Sequence, residues 1–407
     1  MNCRHCNNKL SHIFADLQTC PPSNAMIKYE RLNHSETYFP LKVFVCEKCF
    51  LVQVDVLEKA EAIFNEEYTY FSSYSSSWLE HAKEYTAYMT QRFGYNKDSL
   101  VVEIASNDGY LLQYFKEINI PVLGVEPTAN TAKVAKEKGI DSIVDFFGSQ
   151  LATQQLKSKA DLILGNNVLA HIPDINDFVK GVKIALKPTG VNTFEFPHLC
   201  QLVAQNQFDT IYHEHFSYLS LNSVTSIFEK QGLEIFDVQE LTTHGGSLRI
   251  FAKHKEDNSK KIENSVNQLL EKEKALGIES LNYYQNFQKN IHTIKNDFIG
   301  FLLEQKKQDK KIIGYGAAAK GNTLLNYCGI KGNDLIEYVV DASPFKQNKL
   351  LPGSRIPVYH PDKIKETRPD YIVIFPWNLK SEITEQLSFC KEWGVKFVVT
   401  IPELKIF

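Results

Sequence analysis

The sequence predicts an α/β protein with a doubly wound core, and three observations carry that prediction. From about residue 97, short apolar runs alternate with helix-forming stretches. The first run, residues 100–104, ends in a compact polar turn, Ala105-Ser106-Asn107-Asp108-Gly109, that opens a helix. A second alternation of the same kind begins near Lys310. A chain of 407 residues is too long for one ordinary core. The expected division is a small N-terminal unit over 1–75, a cofactor-binding unit over 76–255, and a helical linker with a second Rossmann-like unit over 256–407.

Composition narrows the classes. Hydrophobic content of 43% and charged content of 23% are those of a globular protein. A net charge of -3 offers no basic field for nucleic acid or an anionic membrane. No apolar run approaches the roughly 18–20 residues that span a bilayer. The start, Met-Asn-Cys-Arg-His-Cys, has no apolar signal core, so a cytoplasmic protein is expected, with a monomer plausible.

Eight cysteines are present, and their spacing points to a metal rather than to disulfides. Cys3 and Cys6 form one CxxC pair and Cys46 and Cys49 another, with 39 residues between them. Two such pairs place four thiolates around one tetrahedral zinc ion. With no position left for water, that zinc is structural, bracing a unit too small to bury enough apolar surface. His5 and Cys20 are weaker candidate ligands, Cys20 being expected to pack as a small apolar residue.

In the middle unit, residues 122–126 form the second strand and 129–138 a helix. Further strands are expected at 143–146 and 162–165. Glu126 closes the second strand, where an acid accepts both ribose hydroxyls of a nucleoside cofactor. The first turn is not GxGxxG and exposes few N–H groups for a pyrophosphate. A cofactor with a ribose but no diphosphate fits better, which points to S-adenosylmethionine. Asn166, Asn167 and His171 bring polar groups to the end of a later strand, and Pro173-Asp174 starts a helix.

The run Tyr212-His213-Glu214-His215 sets a phenol, two imidazoles and a carboxylate side by side. Such a quartet is hard to satisfy as structure alone and reads as proton-transfer equipment. Downstream, paired glycines in Thr243-His244-Gly245-Gly246 allow close backbone approach to a ligand. Arg249 there meets either a phosphate or a structural carboxylate. Residues 256–296 read as a long charged helix or helix pair. The last unit has strands expected at 311–316, 335–341, 370–377 and 395–400. Gly314 and Gly316 followed by Asp341 mimic a dinucleotide site, without the third glycine at the usual spacing.

Taken in order, these segments resemble the S-adenosylmethionine-dependent sugar C-methyltransferases of deoxysugar pathways, which act on nucleotide-linked 4-keto sugars. The likeness covers essentially the whole chain: the four cysteines, 68–75, 103–109, 167–171, 212–218, 243–249, 314–322 and Pro376-Trp377-Asn378. Ala105 departs from the family's usual glycine. The resemblance implies a class I methyltransferase (Rossmann-like) core, an N-terminal zinc-binding domain and a second Rossmann-like domain. It also implies His215 as general base, with Glu214 and Tyr212 orienting it or the substrate, and Tyr68 or Tyr70 covering the transfer site. Cofactor contacts are expected from Glu103, Ser106, Asn107, Asp108, Gly109, Glu126, Pro127, Asp145, Asn166 and Asn167. Substrate contacts are expected from His213, His244, Arg249, Lys320, Asn322, Trp377 and Asn378, with Lys320 and Asn322 on the diphosphate.

The implied chemistry is coherent. A C–H beside a ketone ionises to a base of near-neutral pKa, and the enolate carbon attacks a sulfonium methyl. Donors such as His171 would stabilise the enolate oxygen. The rivals are O- or N-methylation by the same residues, a nicotinamide-dependent sugar oxidoreductase or epimerase using Gly314–Gly321, and a zinc-ribbon binding module without catalysis.

Overall fold

The computed structural model describes residues 1–57 and 71–407, so Tyr68 and Tyr70 lie outside the described residues. Three sheets organise the chain.

The middle sheet has seven strands. Their order is Leu233–Leu241, Ser247–His254, Leu186–Pro197, Ala160–Asn166, Val101–Ile104, Val122–Val125 and Ser142–Ile143. Ser247–His254 runs against both of its neighbours. The other pairings in this sheet are parallel. The order reverses between Val101–Ile104 and Ala160–Asn166, which opens a crevice at their carboxyl ends. Val101–Ile104 is buried along its whole length, as a central parallel strand must be. This seven-stranded arrangement with one reversed strand is the class I S-adenosylmethionine methyltransferase fold.

Sequence reading stops the third strand too late. The chain leaves the sheet after Ile143, and the Asp145 carboxylate accepts Phe146 N–H at 2.7 Å to close a turn. Likewise only Val339–Val340 of residues 335–341 pairs as strand. Residues 256–296 hold a helix pair's first member, Asn264–Leu276, and the start of the second, Phe287–Lys307.

The other two sheets tie the chain's ends to its centre. A four-stranded sheet contains His12–Cys20, Phe39–Val45 and Val52–Val54, and its last strand is Ser217–Tyr218, just past the Tyr-His-Glu-His run. An eight-stranded sheet holds the C-terminal strands, and Ile27–Lys28 pairs along its edge with Lys349–Leu350. Phe14, Val43, Phe208, Ile211, Phe216, Phe298 and Leu324 share one apolar core. The N-terminal sheet, the Tyr-His-Glu-His segment and the C-terminal sheet are therefore one packed body. No helix among the described residues is long and apolar enough to cross a membrane.

Candidate active site and zinc knot

The two CxxC turns fold alike. Asn7 N–H bonds Cys3 C=O and Phe50 N–H bonds Cys46 C=O, each at 2.9 Å. Asn7 and Phe50, each directly after the second cysteine of a pair, both have positive φ (61° and 55°). The four sulfurs lie within 4.8 Å of one another, with Cys3–Cys49 and Cys6–Cys46 at 3.5 Å. A tetrahedral zinc with sulfur ligands at about 2.3 Å requires edges of about 3.8 Å, so the cage fits that ion. Cys20 and His5 are not part of it. Cys20 is buried in the apolar core, and His5 bonds Asn176 and Ser226.

At the crevice of the seven-stranded sheet, the turn after Val101–Ile104 is drawn tight. Ala105 and Asn107 have φ of 55° and 50°, left-handed values that a glycine would adopt more readily than Ala105. Glu126 organises the turn: its carboxylate accepts Asn107 N–H at 2.8 Å and Thr128 N–H at 2.9 Å. Burial raises its pKa while these bonds oppose the rise. Ser106 Oγ and Asp108 Oδ1 are buried without a hydrogen-bond partner among the described residues. Buried polar atoms left open beside a strand-end carboxylate are what a nucleoside-bearing ligand would satisfy, so the residues fit S-adenosylmethionine. Gly109 (φ 75°) faces Ile140 so closely that an added Cβ would stand 2.6 Å from its Cδ1. Pro127 follows Glu126 at the strand end, and Asp145 stands exposed past the third strand. Glu103 is 1% exposed beneath the turn, and burial beside Asp108 and Glu126 pushes its carboxyl well above the usual range.

The next strand over, Ala160–Asn166, delivers three polar groups. Asn166 Nδ2 donates to Tyr110 Oη at 3.3 Å. Asn167 Nδ2 donates to His244 Nε2 at 2.8 Å. His171 follows in a short 3-10 turn, its ring 4.7 Å from that of His215. The histidine of the Tyr-His-Glu-His run thus stands at the mouth of the methyltransferase sheet.

His215 is held in a defined tautomer. Its Nδ1 lies 2.9 Å from Thr210 C=O, which can only accept, so Nδ1 carries the hydrogen. Nε2 is then a lone pair, and it receives the Tyr212 phenol at 2.8 Å. Burial, then the nearby His171 and the Lys320 charge, hold the His215 pKa well below 6.5. The sequence-based expectation of a near-neutral pKa overlooks this desolvation. Burial also lowers His171 and His244 to about 4.

The other members of the quartet face elsewhere. Glu214 accepts Asn24 Nδ2 at 2.8 and 2.9 Å on its two oxygens. His213 Nε2 donates to Pro40 C=O at 3.2 Å and its ring meets Phe39, so it serves the N-terminal sheet rather than a substrate. Ile211 to Phe216 is a turn, and its side chains diverge instead of lining one face.

The C-terminal unit closes the site's far wall. Lys320 Nζ donates to Asn378 Oδ1 at 2.8 Å and lies 4.2 Å from the Trp377 ring centroid. Trp377 Nε1 donates to Asp209 Oδ2 at 2.7 Å. Trp377 also packs on Gly245, where a Cβ would stand 2.4 Å from the indole. Burial lowers Lys320 to about 8 and lifts Asp209 to about 6. Asp209 was not legible beforehand, lying outside any motif in a mixed polar stretch, Gln205-Asn206-Gln207-Phe208-Asp209-Thr210. Asn322, on the helix Ala319–Tyr327, is 1% exposed and its Oδ1 accepts Asn326 Nδ2 at 3.2 Å.

Of the two partners expected for Arg249, the structure shows the carboxylate: it sits in the strand Ser247–His254 and donates to Glu195 Oε2 at 2.8 Å. His81 Nε2 reaches the same oxygen at 2.8 Å and Thr243 Oγ1 donates to the other at 2.7 Å. Burial alone would raise Glu195, but His81 and Arg249 bring it to about 2. The Arg249 guanidinium thus serves this network beneath the His244 loop.

Fold and site define a class I S-adenosylmethionine-dependent methyltransferase with a structural zinc knot. Comparison with known proteins agrees in every segment. Family profiles match a zinc-binding domain over 3–64, a methyltransferase domain over 78–238 and a C-methyltransferase C-terminal domain over 242–402. The C-methyltransferase NovU of Streptomyces niveus is 35% identical over 375 residues, covering 91% of this chain and 88% of that one. A ubiquinone biosynthesis O-methyltransferase of Bradyrhizobium is 29% identical over 94 residues, only 22% of this chain and 37% of that one. Magnesium protoporphyrin IX methyltransferase from Synechocystis, crystallised with bound S-adenosylmethionine, is 15% identical with a TM-score of 0.33, covering 43% of this chain and 78% of that one. The chain belongs to the C-methyltransferase family.

Proposed function

We propose that this enzyme methylates a carbon beside the ketone of a nucleotide-diphosphate-linked 4-keto deoxysugar, in the reducing cytoplasm where four thiolates persist for zinc. The observation that carries the reading is the Tyr212–His215 pair at the mouth of the methyltransferase sheet, with its imidazole acceptor nitrogen unprotonated. Methylation of oxygen or nitrogen needs a base only to clear a hydroxyl or amine. A carbon acid needs one that is desolvated, neutral and backed by donors for the enolate.

In this mechanism the substrate C–H gives its proton to the Tyr212 oxygen as the phenolic proton passes to His215 Nε2. The electron pair of the broken C–H bond becomes the enolate. The imidazolium formed is held by Thr210 C=O, and Lys320 and the His171 and His244 rings surround the developing charge. Lys320, Trp377 and Asn378 form the face that receives the sugar nucleotide. S-adenosylmethionine, when bound by the cradle of Ser106–Gly109 and Glu126, supplies the electrophilic methyl.

The test is incubation with 4-keto nucleotide sugars in heavy water without methyl donor. Deuterium entering beside the ketone supports the reading, as does a methyl carbon bonded to ring carbon by NMR of the full reaction. A methyl on oxygen or nitrogen overturns it.

Two further outcomes are expected. Glu126→Gln removes the charge that anchors the turn and meets the ribose. Loss of charge-assisted bonds worth about 1.5–3 kcal/mol should weaken S-adenosylmethionine binding by about 10- to 100-fold in calorimetry; unchanged affinity would remove Glu126 from the cofactor site. The pH profile of kcat/KM should be level down through pH 6.5, because His215 is already neutral there. It should fall above pH of about 8, where Lys320 loses its charge. An acid limb centred near neutrality would contradict the buried-base reading.

A further inference from the structure

We infer that Arg4, inside the first zinc turn, is a positioning residue for both active-site histidines; the inference rests on the proton-transfer role proposed for His215. Arg4 lies between Cys3 and Cys6, yet its side chain leaves the metal cage. Its Nη1 donates to Pro173 C=O at 3.1 Å, two residues past His171. Its Nη2 donates to Val54 C=O. Val54 N–H in turn bonds Phe216 C=O at 3.1 Å, one residue past His215, and the Arg4 guanidinium lies 5.5 Å from the Phe216 ring centroid. One planar cation therefore joins the segment carrying His171 to the strand pair carrying His215.

The backbone of the same turn repeats the grip. Arg4 N–H donates to Gln53 Oε1 at 2.9 Å, and Gln53 is the strand partner of Ser217. Asn176 Nδ2 donates to Arg4 C=O at 3.0 Å and to His5 C=O at 2.9 Å. His171 and His215 come from loops 44 residues apart, and their rings must meet at 4.7 Å for the site to exist. A guanidinium suits that bridge because its fork bonds two carbonyls at fixed angles; an ammonium on a flexible stem does not. The zinc turn thus does more than brace a small unit: it sets the distance between the two rings.

The variant Arg4→Lys keeps the charge and loses the fork. It should retain one zinc per chain and a near-wild-type melting temperature, while kcat falls about 10- to 100-fold with KM for S-adenosylmethionine unchanged, as expected for a displacement of about 1 Å. Nitrogen NMR of the histidine rings should show the His215 signal moved from its Nδ1–H position. Arg4→Gln, which keeps a planar donor, should recover part of both. As a control, Lys230→Met cuts the bond from Lys230 Nζ to His5 C=O, leaves the bridge intact, and should leave kcat and the ring signals in place. An Arg4→Lys enzyme with wild-type kcat and ring signals overturns the inference, as does a loss of kcat that only tracks lost zinc or lost fold. His215→Asn made alongside separates the two ideas. If it remains active, the proton-transfer role fails; if it is dead while Arg4→Lys is normal, only the positioning role fails.

Discussion

His215→Asn should lose about 10²- to 10⁴-fold in kcat, the range that a positioned base contributes, while still binding S-adenosylmethionine. The substitution is chosen for its geometry. An asparagine amide can still donate toward Thr210 C=O, so the turn from Thr210 to Phe216 keeps its anchor, but it offers no titratable nitrogen to the Tyr212 phenol. The cofactor cradle is built on other elements, the Asn107 turn and Glu126, so affinity measured by calorimetry should not change. Deuterium exchange beside the ketone should vanish together with methyl transfer, because both need the same proton removed.

Tyr212→Phe sharpens the result. With the phenol seated on Nε2, proton transfer through Tyr212 predicts a loss of about 100-fold or more for the phenylalanine variant. A direct attack by His215 on the C–H predicts a much smaller loss, since phenylalanine would uncover the nitrogen. Exchange that persists in His215→Asn would move the base elsewhere in the cluster, to His171 or Lys320.

The cradle and the zinc knot were legible because each is local. CxxC spacing and a strand-turn-helix are set within a few residues, and Glu126 needs only to end the next strand. The Tyr212–His215 contact was legible for the same reason: the two side chains bond each other within one turn. What sequence could not supply was direction. His213, Glu214 and His215 adjoin, yet they point to Pro40, Asn24 and Thr210, because that turn is gripped by three separate parts of the fold. Three strands of the middle sheet also escaped reading. Leu186–Pro197 carries buried Asn192, Thr193 and Glu195, which break the apolar pattern that marks a central strand. Some of its polar groups find partners on distant elements, as with the Tyr85 hydroxyl 2.6 Å from Thr193 Oγ1.

Glu195→Gln and Arg249→Met should each destabilise the protein by about 3–5 kcal/mol, because Glu195→Gln leaves Arg249 buried without a carboxylate and Arg249→Met leaves the buried Glu195 charge to His81 and Thr243 alone. The Glu195 side chain is fully buried and that of Arg249 is 6% exposed, so water cannot take over the lost bond. Arg249 would keep the neutral partner Gln239 at 3.2 Å, the His81 ring nitrogen at 3.0 Å and its place over the Tyr85 ring, but no carboxylate. The melting temperature should drop by about 10 °C on a domain of this size. The double variant Glu195→Gln with Arg249→Met should recover much of the loss, since no unpaired charge remains; that recovery is the sign of a mutual ion pair. A substrate-binding arginine would behave in the opposite way. Arg249→Met would then raise KM for the sugar nucleotide several-fold with melting unchanged, and Glu195→Gln would have no reason to share its effect. The pair also lies under Thr243, whose hydroxyl donates to Glu195, and Thr243 leads into His244. Breaking it should therefore lower kcat along with stability, whereas a remote core defect of equal cost would leave the folded fraction fully active.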